Sequence, residues 1–399
     1  MAGEFKVNGV SFATESGGTL TVNNSKVRLP SSGNGIEDSS GNSVLSESGG
    51  NVSLTAKNAT VTGDFIPSEP VMFRNKVING GMKISQRGTS FSFAHNGTLD
   101  SYTVDRFQFR AGGLDNYDAQ VTQYSMSAAE LNTTGHSKAL KLATGTVQGT
   151  IANNTSFRLE YRAEAQDLQD LQYGTASAKT ITLSFWVKSS VTGTYAVNLY
   201  KDDTTTRMIN KTYAINVADT WEKKTISIVG DTDSTGSIVN DNGEGLRIIW
   251  VLATGSNFNS SSSATWTDYT NGNFLGGHVQ NGVLTTANAN WYVTGVQLEI
   301  GSSATPFEHK PTSVELSLAQ RYYQHGVPSF GTSRNTDNHL HGSGFLKVTM
   351  RATPSASIEY NQYGQTNSIQ AISKEFYVSS ASGSNSDSSH VRYNVVAEL

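Results

Sequence analysis

Ile181-Thr182-Leu183-Ser184-Phe185-Trp186-Val187-Lys188 alternates residue by residue, with an apolar side chain at every odd position. Strand side chains point to opposite faces in turn. Ile181, Leu183, Phe185 and Val187 therefore share a core-facing side, and Thr182, Ser184, Trp186 and Lys188 share the other. The same period recurs at residues 102–110, 194–200, 221–229, 246–253 and 291–300. Turn-forming runs such as Val191-Thr192-Gly193 and Asn240-Asp241-Asn242-Gly243 separate these stretches. Short strands at regular intervals predict an all-β chain built on a jelly-roll-like β-sandwich. Residues 157–171, rich in Glu, Gln, Asp and Leu, read as a strand followed by a short helix.

Composition agrees with this and removes several functions. Of 399 residues, 36% are hydrophobic and 16% charged, while glycine alone supplies 38. Much Gly, Ser, Thr and Asn suits strands joined by tight turns, and 16 Tyr, 16 Phe and 5 Trp are enough to fill a sizeable core. The net charge is −4 and there is no Lys/Arg-rich tract, which argues against nucleic acid as a partner. No apolar run approaches the roughly 20 residues of a membrane span, so no membrane insertion is expected. The start, Met1-Ala2-Gly3-Glu4-Phe5-Lys6, lacks the pattern of a signal peptide. With no cysteine, disulfides, thiolate metal sites and cysteine nucleophiles are excluded.

Four regions follow. Residues 1–70 contain no Trp or Tyr and carry short alternating pieces at 19–22, 43–46, 51–54 and 59–62. So little apolar surface predicts a region that gains stability by assembly, through copies of itself or a larger particle. Residues 71–311 form the sandwich. Residues 312–325 form a linking helix, with Thr312 or Ser313 as N-cap and apolar residues at 314, 318 and 322. Residues 326–399 alternate again and read as a small β domain.

A series of short pieces resembles a family of phage virion and tail-fibre proteins with a carbohydrate-binding-like sandwich. The pieces are Asn75-Lys76-Val77-Ile78-Asn79-Gly80-Gly81-Met82, Tyr102-Thr103-Val104-Asp105-Arg106-Phe107, Leu183-Ser184-Phe185-Trp186-Val187-Lys188-Ser189 and Thr220-Trp221-Glu222. Thr294-Gly295-Val296-Gln297-Leu298-Glu299, Ala304-Thr305-Pro306-Phe307-Glu308 and Ala319-Gln320-Arg321-Tyr322-Tyr323 continue the order. The resemblance implies a homotrimeric fibre on a virion. Its N-terminal region would meet other virion proteins, and its sandwich would touch a host-surface polysaccharide.

Candidate sugar-binding residues come from aromatic rings placed off the core face. Alternation puts Trp186, Tyr200 and Trp291 opposite their core-facing neighbours, and residues 258–273 hold Trp266, Tyr269 and Asn271 amid Ser and Gly. Aromatic faces pack on the C–H face of a pyranose while polar side chains bond its hydroxyls. The competing reading is that a loop, helix or neighbouring chain covers these rings.

Two metal readings stay open beside a chain with no cofactor. Asp231, Asp233 and Asp241 resemble a loose calcium loop, although Asp is also an ordinary turn residue. His339 and His341 would share one face of an extended segment, and three copies about a fibre axis would offer six nitrogens to a transition metal. Catalysis is not expected. There is no Gly-x-Ser-x-Gly elbow, and Glu160, Glu164, Asp167 and Asp170 have the spacing of a solvated helix face. The alternatives to an adhesin are a purely structural capsid or tail decoration and, further off, a depolymerase tailspike.

Overall fold

The computed structural model describes residues 73–326, 340–361, 367–371, 375–380 and 391–399, together with six short strands before residue 55. The chain divides into two compact units, Met1–Ser68 and Glu69–Leu399. In the first unit, β1 (Glu4–Val7), β2 (Val10–Ser16) and β3 (Thr19–Val22) form one antiparallel sheet. A second sheet joins β4 (Gly35–Glu37), β5 (Ser43–Ser48) and β6 (Asn51–Leu54), with Ser48 opposite Asn51. The alternating piece at 59–62 lies outside the described residues.

The second unit is an antiparallel sandwich. Its strands are β7 (Ser90–Tyr102), β8 (Phe107–Ser125), β9 (Lys138–Thr144), β10 (Ser156–Glu164), β11 (Ile181–Ser189) and β12 (Gly193–Lys201). They continue with β13 (Arg207–Ile215), β14 (Glu222–Ile228), β15 (Glu244–Thr254), β16 (Thr267–Asp268) and β17 (Asn290–Ile300). The strand order is β14-β11-β17-β9-β8-β10-β15-β12-β13-β16, with β7 paired to β8. β8 turns the corner: Phe107–Gly112 pairs with β10, and Ala119–Ser125 pairs with β9. The ribbon thus folds into two facing sheets. Phe185 of β11 meets Trp250 of β15 edge-on at 5.8 Å, and Phe185 also meets Tyr213 of β13 at 5.2 Å. The odd residues of the 181–187 stretch all lie in this core.

Among the described residues the three α-helices are short: α1 (Ala128–Thr134), α2 (Gly282–Thr285) and α3 (Thr312–Gln320). A 3-10 turn over Ala165–Leu171 follows β10, as the composition of 157–171 suggests. In α3 the N-cap is Pro311, one residue before the expected Thr312, and no side chain caps it. Its buried residues are Glu315, Ala319 and Gln320. The stretch 102–110 is two strands, not one. Thr103–Arg106 turn between β7 and β8, with Arg106 at φ +75° and Phe107 N–H donating to the Val104 carbonyl.

The remaining strands are β18 (Tyr323–Gly326), β19 (Leu340–Phe345), β20 (Ser355–Asn361), β21 (Asn367–Ala371), β22 (Glu375–Ser380) and β23 (Val391–Val396). They make two three-stranded sheets, β18-β23-β20 and β19-β22-β21. Among the described residues no helix is long and apolar enough to cross a membrane.

Candidate functional site

β14 and β16 end the strand order, so they are the free edges of the two facing sheets. Residues 229–233 leave β14 and Trp266 precedes β16, which brings both to one side of the sandwich. The Trp266 indole Nε1–H donates to the Val229 carbonyl at 2.8 Å, bridging the two edges. Its ring meets Tyr173 edge-on at 5.7 Å and packs partly against the main core. The rest of the ring lines a groove of about 360 Å³ with Arg207, Val229, Asp231, Thr232, Asp233 and Thr265. Val229 is 52% exposed, so apolar surface continues beyond the indole.

Charge in the groove is organised by Arg207. Its Nε and Nη2 donate to Asp231 at 2.8 and 3.1 Å, and its Nη1 donates to Asp268 at 2.8 Å. Asp233 completes the set at 3.3 Å from Nη1, and the fully buried Lys201 ammonium lies 3.5 Å from Asp231. Asp231 itself is buried. The Thr235 hydroxyl and amide hold Asp233 below the usual carboxylate range. The calcium reading of Asp231, Asp233 and Asp241 is corrected here. Asp231 is consumed by two protein cations, and Asp241 accepts from Gly243 N–H at 2.7 Å as an ordinary turn residue. Among the described residues, no group of three or more His, Asp or Glu could hold a metal ion. His339 and the side chain of His341 lie outside the described residues.

Tyr200, Tyr269 and Asn271 come together on the outer face of the sheet that carries β12 and β13. The Tyr269 ring meets Tyr200 edge-on at 5.6 Å, and its hydroxyl donates to Asn271 Oδ1 at 2.8 Å. Tyr200 is off the main core, as its parity requires, but it is not open to solvent. Residues 258–275 fold over the sheet, and Phe258, Tyr269, Phe274 and Leu275 bury it with Met208 and Ile249. Asn198 and Asn210 hold this cover down by donating to the Phe274 and Asn273 carbonyls at 3.3 and 2.8 Å.

Beside this cluster, Glu160 is fully buried on the sheet, not on a solvated helix face. Arg158 Nε donates to it at 2.6 Å and Arg162 Nη2 at 2.8 Å, with Arg247 Nη1 at 3.7 Å. Burial pushes the Glu160 carboxyl up, but the Arg158, Arg247 and Arg162 charges outweigh it and hold it at about 2. Glu164 is also buried, accepting from the Tyr322 hydroxyl at 2.8 Å.

Trp291 is the clearest correction, being fully buried in the core. The reason is a bulge. β11 pairs Ser184 with Gln297 but Trp186 with Thr294, so β17 carries one extra residue at that point. Gly295 sits there at φ +61°, in the left-handed region that favours glycine. The extra residue reverses the alternation. Odd residues 291 and 293 face the core before it, and even residues 296 and 298 face the core after it. A Cβ on Gly295 would lie 2.4 Å from the His136 imidazole. Beyond the bulge, residues 76–80 line the other edge of β17: Lys76 N–H donates to Leu298 O and Val296 N–H to Gly80 O, each at 2.9 Å.

Trp186 does lie on the outer face of the sheet that carries β11 and β17, half-buried among Tyr124, Met126, Trp221 and Tyr292. Lys188 stands 4.2 Å from the Tyr292 ring centroid. Glu130 of α1 accepts from Lys188 Nζ at 2.6 Å, Trp221 Nε1 at 3.0 Å and the Tyr124 hydroxyl at 3.0 Å. These rings therefore seat a helix. The sequence carried a signal for it: Ser127-Ala128-Ala129-Glu130 is a capping box, and both of its reciprocal bonds are present.

No protein-family model matches the chain, and no curated protein matches it. Among solved structures it is similar to the enzymatically active domain of tailspike protein 4 of bacteriophage CBA120, at 10% identity and TM-score 0.29, covering 57% of this chain and 22% of that one. It is also similar to a family 11 carbohydrate-binding module of a Clostridium thermocellum cellulase, at 10% identity and TM-score 0.25, covering 55% and 92%. A xylan-binding domain from Paenibacillus barcinonensis is similar at 13% identity and TM-score 0.24, covering 54% and 95%. The chain thus spans about a fifth of the tailspike chain it matches. All three TM-scores lie below 0.5, so the β-sandwich assignment rests on the strand pairing above.

Proposed function

We propose that this chain is a non-enzymatic glycan-binding protein of a bacteriophage particle, a homotrimeric fibre whose sandwich adheres to host-surface polysaccharide. In this reading the first unit contacts other virion proteins. The observation that carries glycan binding is Trp266, an indole pinned by its own hydrogen bond and facing a groove of carboxylates, a guanidinium and threonine hydroxyls. That pairing of a flat apolar face with planar hydrogen-bonding groups is what sugar recognition requires. Of the four carboxylates Glu160, Glu164, Asp167 and Asp170, the buried Glu160 and Glu164 are committed to arginine and tyrosine partners, which favours binding over cleavage. The virion setting and the trimer rest on the sequence resemblance.

A purely structural role is the second reading, favoured by the internal use of Trp291, Tyr200 and Trp186. A glycan array probed with the full chain and with Trp266→Ala separates the two. Binding that is lost in the variant supports the adhesin. A folded wild-type chain that binds no glycan supports the scaffold.

A further inference from the structure

The geometry points to a ligand class for the Trp266 groove: a neutral sugar residue, with acidic sugars disfavoured. This inference rests on the glycan-binding reading above. In the ion-pair network that Arg207 and Lys201 make at the groove, Asp231, Asp233 and Asp268 are anionic, and Arg207 and Lys201 are cationic. Three against two leaves one net negative charge. The distribution matters more than the sum. Lys201 is fully buried and Arg207 nearly so, whereas the Asp233 and Asp268 side chains are 42% and 73% exposed. An approaching ligand therefore meets carboxylates first.

Arg207 has little left to offer an anion. Its Nε, Nη1 and Nη2 each already donate to a carboxylate. A uronate or sialate arriving here would find no free guanidinium fork and would sit beside two like charges. A neutral pyranose has the opposite fit. Its hydroxyls donate, the exposed carboxylate oxygens accept, and its C–H face covers Trp266 and the neighbouring Val229. Because Thr235 holds Asp233 below the usual carboxylate range, this acceptor character persists in mildly acidic solution.

The test titrates the full chain with neutral hexose oligosaccharides and with uronate and sialyl oligosaccharides of matched length, at low and physiological salt. Tighter binding of the neutral set, abolished by Trp266→Ala, is expected. In Asp268→Asn, which removes an exposed charge, acidic oligosaccharides should gain about threefold relative to neutral ones, and more at low salt. Wild-type preference for acidic sugars would overturn the ligand class while leaving glycan binding intact. So would neutral-sugar binding that survives Trp266→Ala, because it would place the site elsewhere. Failure to bind either set would overturn glycan binding itself.

Discussion

The Arg106 guanidinium lies 3.5 Å from the centroid of the ring of Tyr322, a residue far along the chain from it. Arg106 is buried in the turn between β7 and β8, and Tyr322 follows α3. Arg106 also pairs with Glu398, and the Tyr322 hydroxyl donates to Glu164. One cation thus fastens the helix end and the chain end to the sandwich. Arg106→Ala leaves Glu398 buried without that partner. It should lower stability by about 3–5 kcal/mol, read as a fall in denaturant midpoint. Tyr322→Phe, which keeps the ring and drops one buried hydrogen bond, should cost about 1–3 kcal/mol.

Gly295→Ala should destabilise by more than about 1 kcal/mol, because alanine is strained at φ +61° and its Cβ meets the His136 ring. Adding His136→Ala removes the clash and leaves the backbone strain. The double variant should therefore recover part of the thermal stability lost by the first change. No recovery would show that the imidazole contact is not what excludes a side chain there.

Glu160 gives the sandwich a defined acid sensitivity. Its carboxyl is held at about 2, against about 4.3 in an unfolded chain. A depressed folded-state value contributes stability above the unfolded value, and that stability disappears as pH falls from about 4.3 toward 2. The difference corresponds to roughly 3 kcal/mol. Glu160→Gln should flatten this part of the pH–stability curve and lower stability at neutral pH, where Arg110, Arg158, Arg162 and Arg247 lose their shared anion.

Trp266 and Trp291 should differ in what their loss costs. Trp291→Ala empties a fully buried core position and should cost about 3–5 kcal/mol. Trp266→Ala removes a half-buried ring and one indole hydrogen bond, so its cost should fall nearer 1–2 kcal/mol. Circular dichroism melts of the pair check the contrast.

Asp231→Asn strips the charge that Arg207 and Lys201 share and should cost about 3–5 kcal/mol. A chelator added to the wild-type chain should leave the melting temperature unchanged. A drop of several degrees would restore a metal to this loop.

Fold class was legible because strands report themselves locally. The 181–187 alternation reached the core intact, since β11 carries a regular two-residue period along that face. Trp291 was misread for a physical reason: one extra residue at Gly295 reverses the alternation, and nothing in the string Trp291-Tyr292-Val293-Thr294-Gly295 marks which of two phases applies upstream. Tyr200 was placed on the correct face, but what covers it arrives from residues 258–275, a distance that periodicity does not see. The aspartates at 231 and 233 looked like ligands because their cations, Lys201 and Arg207, lie on other strands.

The indole at 266 bonds across the gap between the two sheet edges, and it also floors the cleft beside that bond. Occupancy and cohesion are therefore joined in a single side chain. Any cargo resting there adds its affinity to the folded form alone, so a rise in melting point becomes a direct gauge of what the cleft accepts.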